Sequence, residues 1–136
     1  MSELFLAIDT GDAEKVRALL ENEGRKHIYD TDEEFKNTPL HAAAAADNLD
    51  IMKLLVGAGA NVNALNAFQW NPLHYVPHLD SSRFLIENGA LVNAKGIDGG
   101  TPLMRASSHD VKKDSLVDVV RFFLEKGFLH ITQFLV

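Results

Sequence analysis

The residues with chemistry to offer are few, and three of them fall close together. His74, His78 and Asp80 lie within NPLHYVPHLDSSRFL (residues 71–85). Two histidines at i and i+4 on one helix face, supported by a carboxylate, is a spacing that zinc uses. Pro77 stands between them, however, and removes both an N–H and the regular helix that would aim the two rings at one ion. No HExxH and no third ligand at a convincing spacing accompanies them. Ser81, Ser82, Ser107 and Ser108 lack the GxSxG setting of a nucleophile elbow. The stretch GIDGGTP (96–102) lacks the GxGxxG spacing and the preceding strand of a phosphate-binding loop, and reads as a turn. With no cysteine in the chain, thiol nucleophiles, Cys-ligated zinc and disulfides are excluded. A metal-dependent or enzymatic centre on His74, His78 and Asp80 stands as the alternative to a binding role.

The elements that must position these residues follow from the bulk composition and the repeats. A chain of 136 residues with 46% apolar and 24% charged side chains fits one soluble globular domain. No stretch approaches the roughly 20 apolar residues of a membrane span, and MSELFLAIDTGD lacks the basic start and apolar run of a signal peptide. The expectation is a soluble protein, cytoplasmic or nuclear, with no membrane partner. Net charge is −6 and uneven: residues 1–36 carry ten acids against five bases, and residues 37–136 nine against eight. That acidic N-terminal segment repels a phosphate backbone and argues against nucleic acid.

Self-comparison shows an internal period. Thr38-Pro39-Leu40-His41, Asn71-Pro72-Leu73-His74 and Thr101-Pro102-Leu103-Met104 recur at offsets of 33 and 30 residues. LLVGAGANVNA (54–64), FLIENGALVNA (84–94) and FFLEKG (122–127) follow them in register, and LFLAIDTGDAEKVRALLENEG (4–24) carries the helical pattern without the TPLH opening. Thr or Asn before Pro is a helix start, because the side-chain oxygen caps free N–H groups and Pro fits the first turn. Thr38, Asn71 and Thr101 therefore open short first helices. Ile51, Leu54, Leu55 and, in the last unit, Val119, Phe122 and Phe123 recur at helical spacing, and Gly59, Gly89 and Gly127 sit where a helix C-terminus favours a left-handed residue. The dozen or so residues between each such Gly and the next helix start project as a turn or hairpin.

These motifs resemble the ankyrin repeat, whose pattern runs D-x-x-G-x-T-P-L-H-x-A-A, a Gly turn, a second helix and G-A-x-V-N-A. The resemblance covers nearly the whole chain and is closest over residues 32–64. It implies an all-α solenoid of about four helix-turn-helix units with projecting hairpin loops, in units of approximately 1–31 (an N-terminal cap whose outer face carries Asp9, Asp12, Glu14 and Glu21), 32–64, 65–94 and 95–136. It also implies that His41 and His74 are structural, their rings tying adjacent loops and helices, and that Val62-Asn63 and Val92-Asn93 secure the hairpin bases. The chain departs from the pattern at several points. HIYDTDEEF lengthens the first loop by two residues, Lys36 and Gln69 replace a hairpin glycine that only Gly99 keeps, and Met104 replaces the third histidine. Unit three loses three residues near Tyr75–His78, unit four gains five around SSHDVKKD (107–114), and the last glycine is followed by FLHITQFLV.

In the family, the positions that vary with the partner flank the Thr-Pro and occupy the hairpin tip. Here they are Phe35, Asn37, Phe68, Trp70, Tyr75, Ile97 and Arg105, a set rich in the aromatic and Arg side chains that dominate binding hot spots. The competing reading is that Phe35 or Trp70 folds back onto a neighbouring loop. The expected function is recognition of another protein through hairpin tips and the concave first-helix face, without catalysis or cofactor. Phe128–Val136 is expected to form a further partial unit, a cap or a self-association patch.

Overall fold

The computed structural model describes residues 2–23, 26–76, 78–107, 121–122 and 124–125. Its elements are α1 (Glu3–Thr10), α2 (Ala13–Glu23), α3 (Pro39–Ala45), α4 (Leu49–Gly57), a 3-10 turn (Pro72–Tyr75), α5 (Leu79–Glu87) and α6 (Pro102–Ser107). Among the described residues there is no strand. The fold is the all-α repeat solenoid. First helices stack in one row, α1 on α3, α3 on the 3-10 turn and the turn on α6, while α2 packs beside α4 in the second row.

Each start signal acts as its chemistry predicts. The Thr38 hydroxyl accepts the His41 N–H, and the Asn71 carbonyl oxygen accepts the His74 N–H, with Pro39 and Pro72 in the first turn. Gly59 and Gly89 are left-handed (φ 104° and 98°) just past α4 and α5. The core runs the length of the stack through Leu4, Ile8, Val16, Leu40, Ile51, Met52, Leu55, Leu73, Val76 and Leu85. No unit closes this core alone, so each side chain of about 1.5–3 kcal/mol burial value depends on the adjacent unit.

The deletion in unit three leaves one 3-10 turn where its neighbours have a helix. Val76 is extended (φ −101°, ψ 110°), the conformation favoured before a proline, and this ends the turn. Pro77 itself lies outside the described residues, as do Gly127, Phe128–Val136 and residues 108–114 of the insertion. Arg83 reaches from α5 to within 5.4 Å of the Phe122 ring, which links units three and four on the second-helix side.

The projecting loops are closed turns without ladders. The Asn66 N–H donates to the Trp70 carbonyl and Gly96 to Gly100, four residues on, whereas Asp32 donates to Asn37, five residues on. The extra length of the first loop is thus partly absorbed inside its turn. Lys36 and Gln69 adopt φ of 58° and 59°, close to the left-handed backbone of Gly99 at 82°. Successive loops are also joined tip to tip, Ala67 N–H to the Phe35 carbonyl and Ile97 N–H to the Phe68 carbonyl, each at 2.8 Å.

Candidate partner-binding surface

The loop tips carry a continuous line of rings. Phe35 and Phe68 lie 5.4 Å apart between centroids, and Phe68 and Trp70 4.8 Å. Tyr75 meets Trp70 edge-on at 5.5 Å, and His74 stacks beneath it at 6.0 Å. The Arg105 guanidinium covers the Trp70 ring at 3.8 Å, close enough for a strong cation–π contact. The indole also rests on Gly96, where an added Cβ would lie 2.4 Å from Nε1. Trp70 therefore packs back between units three and four and is only half-exposed. Phe35 and Ile97 are the open ends of the line, 37% and 69% exposed.

Below the rings lies a polar hub that sequence inspection missed. Asn66 is buried, and its amide N–H groups donate to the Asn37 carbonyl oxygen (2.9 Å) and the Tyr75 hydroxyl (3.0 Å). Tyr75 in turn donates to Asn37 at 3.1 Å, while the Asn66 carbonyl oxygen accepts the N–H groups of Phe68 and Trp70. Burial pushes the Tyr75 phenol up, partly offset by these hydrogen bonds, so it stays a neutral donor. The available signal was position: Asn66 stands five residues before Asn71, where the family pattern has Asp.

Both TPLH histidines bridge units. His41 Nδ1 accepts the Thr38 N–H, which leaves Nε2–H to donate to the Trp70 carbonyl at 2.8 Å. His74 repeats this one unit on, Nδ1 on the Asn71 N–H and Nε2 on the Gly100 carbonyl at 3.1 Å. Burial lowers the pKa of both rings. Val-Asn also acts at a base: Asn63 donates to the Gly89 carbonyl and accepts the Leu91 N–H.

The stretch that invited a metal reading is taken apart by the fold. His74 is buried with its ring nitrogens on Asn71 and Gly100, whereas exposed His78 faces Asp47 at 3.6 Å, and Asp80 is exposed in the first turn of α5. Among the described residues no group of three His, Cys, Asp or Glu is placed to hold a metal ion. Asp47 also accepts a 2.6 Å hydrogen bond from Ser81, which ties α5 to the α3–α4 turn.

Beside the rings, a groove of about 950 Å³ opens between units one and two. It is lined by Ser2, Phe5 and Asp9 at α1, by Asp30–Glu34 and Asn37 of the first loop, and by Ala42, Ala45 and Ala46 at α3. Asp9, one of the acids expected on the outer face of the N-terminal unit, is exposed and lines this groove. Among the described residues no helix is long and apolar enough to cross a membrane.

Comparison with known proteins agrees with this architecture. A family profile described as ankyrin repeats (three copies) matches residues 4–96. The chain is 31% identical over 125 residues to a putative ankyrin repeat protein of Rickettsia felis, covering 85% of this chain and 54% of that protein. It is 36% identical over 103 residues to protein phosphatase 1 regulatory subunit 27 of Mus musculus, covering 73% and 66%. It is also 43% identical over 65 residues to a putative ankyrin repeat protein of fowlpox virus, covering 48% and 15%. The chain thus spans between about a seventh and two thirds of the length of these relatives. Stacked helix pairs, TPLH histidines bridging to the next loop and a profile match over most of the chain make this protein a member of the ankyrin repeat family, whose repeats generally serve protein–protein interaction.

Proposed function

We propose that the chain is a non-catalytic scaffold, cytoplasmic or nuclear, that recognises a partner protein through its loop tips and the concave row of first helices. It needs no cofactor. The observation that carries this reading is the line from Phe35 through Phe68 to Ile97. Three loops are joined by backbone hydrogen bonds into one edge whose ends expose large apolar side chains. Exposed apolar groups on an edge held this firmly cost little entropy to dock and suit a protein surface. Asn37, Trp70, Tyr75 and Arg105 back the edge and hold its shape, Asn37 at the groove margin and Arg105 over Trp70. Similarity to a phosphatase regulatory subunit, a protein named for acting on another protein, supports the same class of role.

Affinity capture with immobilised chain tests this. Ile97→Ser removes a side chain that is 69% exposed and Phe35→Ser gives up the ring pair with Phe68, so the variant should stay folded with a modestly lowered melting temperature yet lose the proteins retained by the unaltered chain. Identical recovery by both would remove the edge from the binding surface.

A further inference from the structure

The groove between units one and two has a chemistry distinct from the aromatic edge. We propose that it seats a basic, extended segment of the partner protein, in which Lys or Arg alternates with small or apolar residues. This rests on the scaffold reading and names the class of partner.

Charge supplies the first argument. Asp9, Asp30, Asp32, Glu33 and Glu34 line the groove, and among the described residues no Lys or Arg does. Asp30 pairs with His27 at 2.6 Å and Asp32 accepts the Phe35 N–H, but among the described residues Asp9, Glu33 and Glu34 form no ion pair. Carboxylates that line one concavity repel one another, and low-dielectric walls focus their field outward onto an approaching cation.

Spacing supplies the second. Asp9 comes from α1 and the other four acids from the first loop, and no three of them are gathered where they could hold one metal ion. Distributed carboxylates suit distributed cations, such as the side chains that an extended segment places about 6–7 Å apart along one face. Phe5, Ala42, Ala45 and Ala46 share the lining and suit the alternate, small or apolar residues, and the short alanine side chains leave room for a backbone. Continuity supplies the third. Asn37 both borders the groove and accepts from Tyr75 under the aromatic edge, so a segment leaving the groove passes directly onto Phe35.

The test is a fluorescence-anisotropy titration of the whole chain against two labelled ten-residue probes, one alternating Arg and Ala, the other Glu and Ala. The Arg probe should bind, and more weakly as NaCl is raised, while the Glu probe should not. The variant D9N/E33Q/E34Q should weaken binding about tenfold, the effect of three partly exposed charge pairs. The control E21Q/D50N/E87Q removes as many exposed charges elsewhere and should change affinity less than about twofold. Should the groove triple fail to fold by circular dichroism, Glu34→Lys is titrated in its place. Equal losses in groove and control variants, or no binding of the Arg probe, overturn the assignment. If the Arg probe fails while the Phe35/Ile97 variant still loses captured protein, the scaffold reading stands and the groove falls; undiminished capture with a bound probe removes only the edge.

Discussion

At the residue scale, two kinds of side chain decide how the loops are held. His41 and His74 act as neutral rings: each presents Nδ1 to a backbone N–H and Nε2 to a carbonyl of the next loop, and burial disfavours the charged form. The unfolded chain takes up protons on these residues near pH 6.5, whereas the fold does so only at lower pH. Below about 6.5 the unfolded state therefore binds more protons and stability falls with pH. Thermal melts between about pH 7 and pH 5, above the main carboxylate range, should show a declining Tm; a flat profile there would contradict the neutral-bridge description. Trp70 depends on a missing atom. Gly96→Ala should force the indole off its seat and cost about 1–3 kcal/mol. Trp70 is the only tryptophan, so its fluorescence should shift to the red. An unshifted spectrum with unchanged stability would show that the indole does not rest on Gly96.

At the element scale, the repeat is regular where its turns need it and strained where the sequence departs. Lys36 and Gln69 hold left-handed backbone that a side chain disfavours, at loop positions where Gly99 has a glycine. Lys36→Gly or Gln69→Gly should each stabilise by about 0.5–1 kcal/mol, the relief of strain less the added flexibility of the unfolded chain. Gly99→Ala should cost about 1–2 kcal/mol, and since no atom lies within 4 Å of the added Cβ, that cost is backbone alone. Urea midpoints of the three variants check this, and the ranking fails if Gln69→Gly lowers the midpoint. The shortened unit three belongs to this scale as well. Its 3-10 turn keeps Leu73 and His74 buried between α3 and α6, so the row of first helices is continuous despite the lost residues.

At the scale of the whole molecule, every described unit leans on the next. His41 to the Trp70 carbonyl, Tyr75 to Asn37 and Ser81 to Asp47 join units two and three, and His74 to Gly100 joins three and four. A short array coupled this way unfolds as one. Far-UV circular dichroism, which sees all helices, and Trp70 fluorescence, which sees units three and four, should share one urea midpoint. Leu40→Ala in unit two should move both by the same amount, at a cost of about 2–5 kcal/mol. Separated midpoints would mean that the units unfold independently.

Much of the fold was legible because the information is local and repeated. Thr38, Asn71 and Thr101 cap the helices that start beside them, Gly59 and Gly89 end the ones before them, and a period near 33 residues admits few arrangements besides a stack. The positions Phe35, Phe68, Trp70 and Ile97 could likewise be read from register, but not the direction each side chain takes. Trp70 turns inward because Gly96, 26 residues on, has no Cβ and Arg105 closes over the ring. Asp9 lines the same groove as Glu33 and Glu34 because α1 packs beside α3, which brings chain segments more than 20 residues apart to one concavity. Local hydrogen bonding and periodicity are written in adjacent residues; a surface is made by residues distant in the chain, and only packing decides which of them meet.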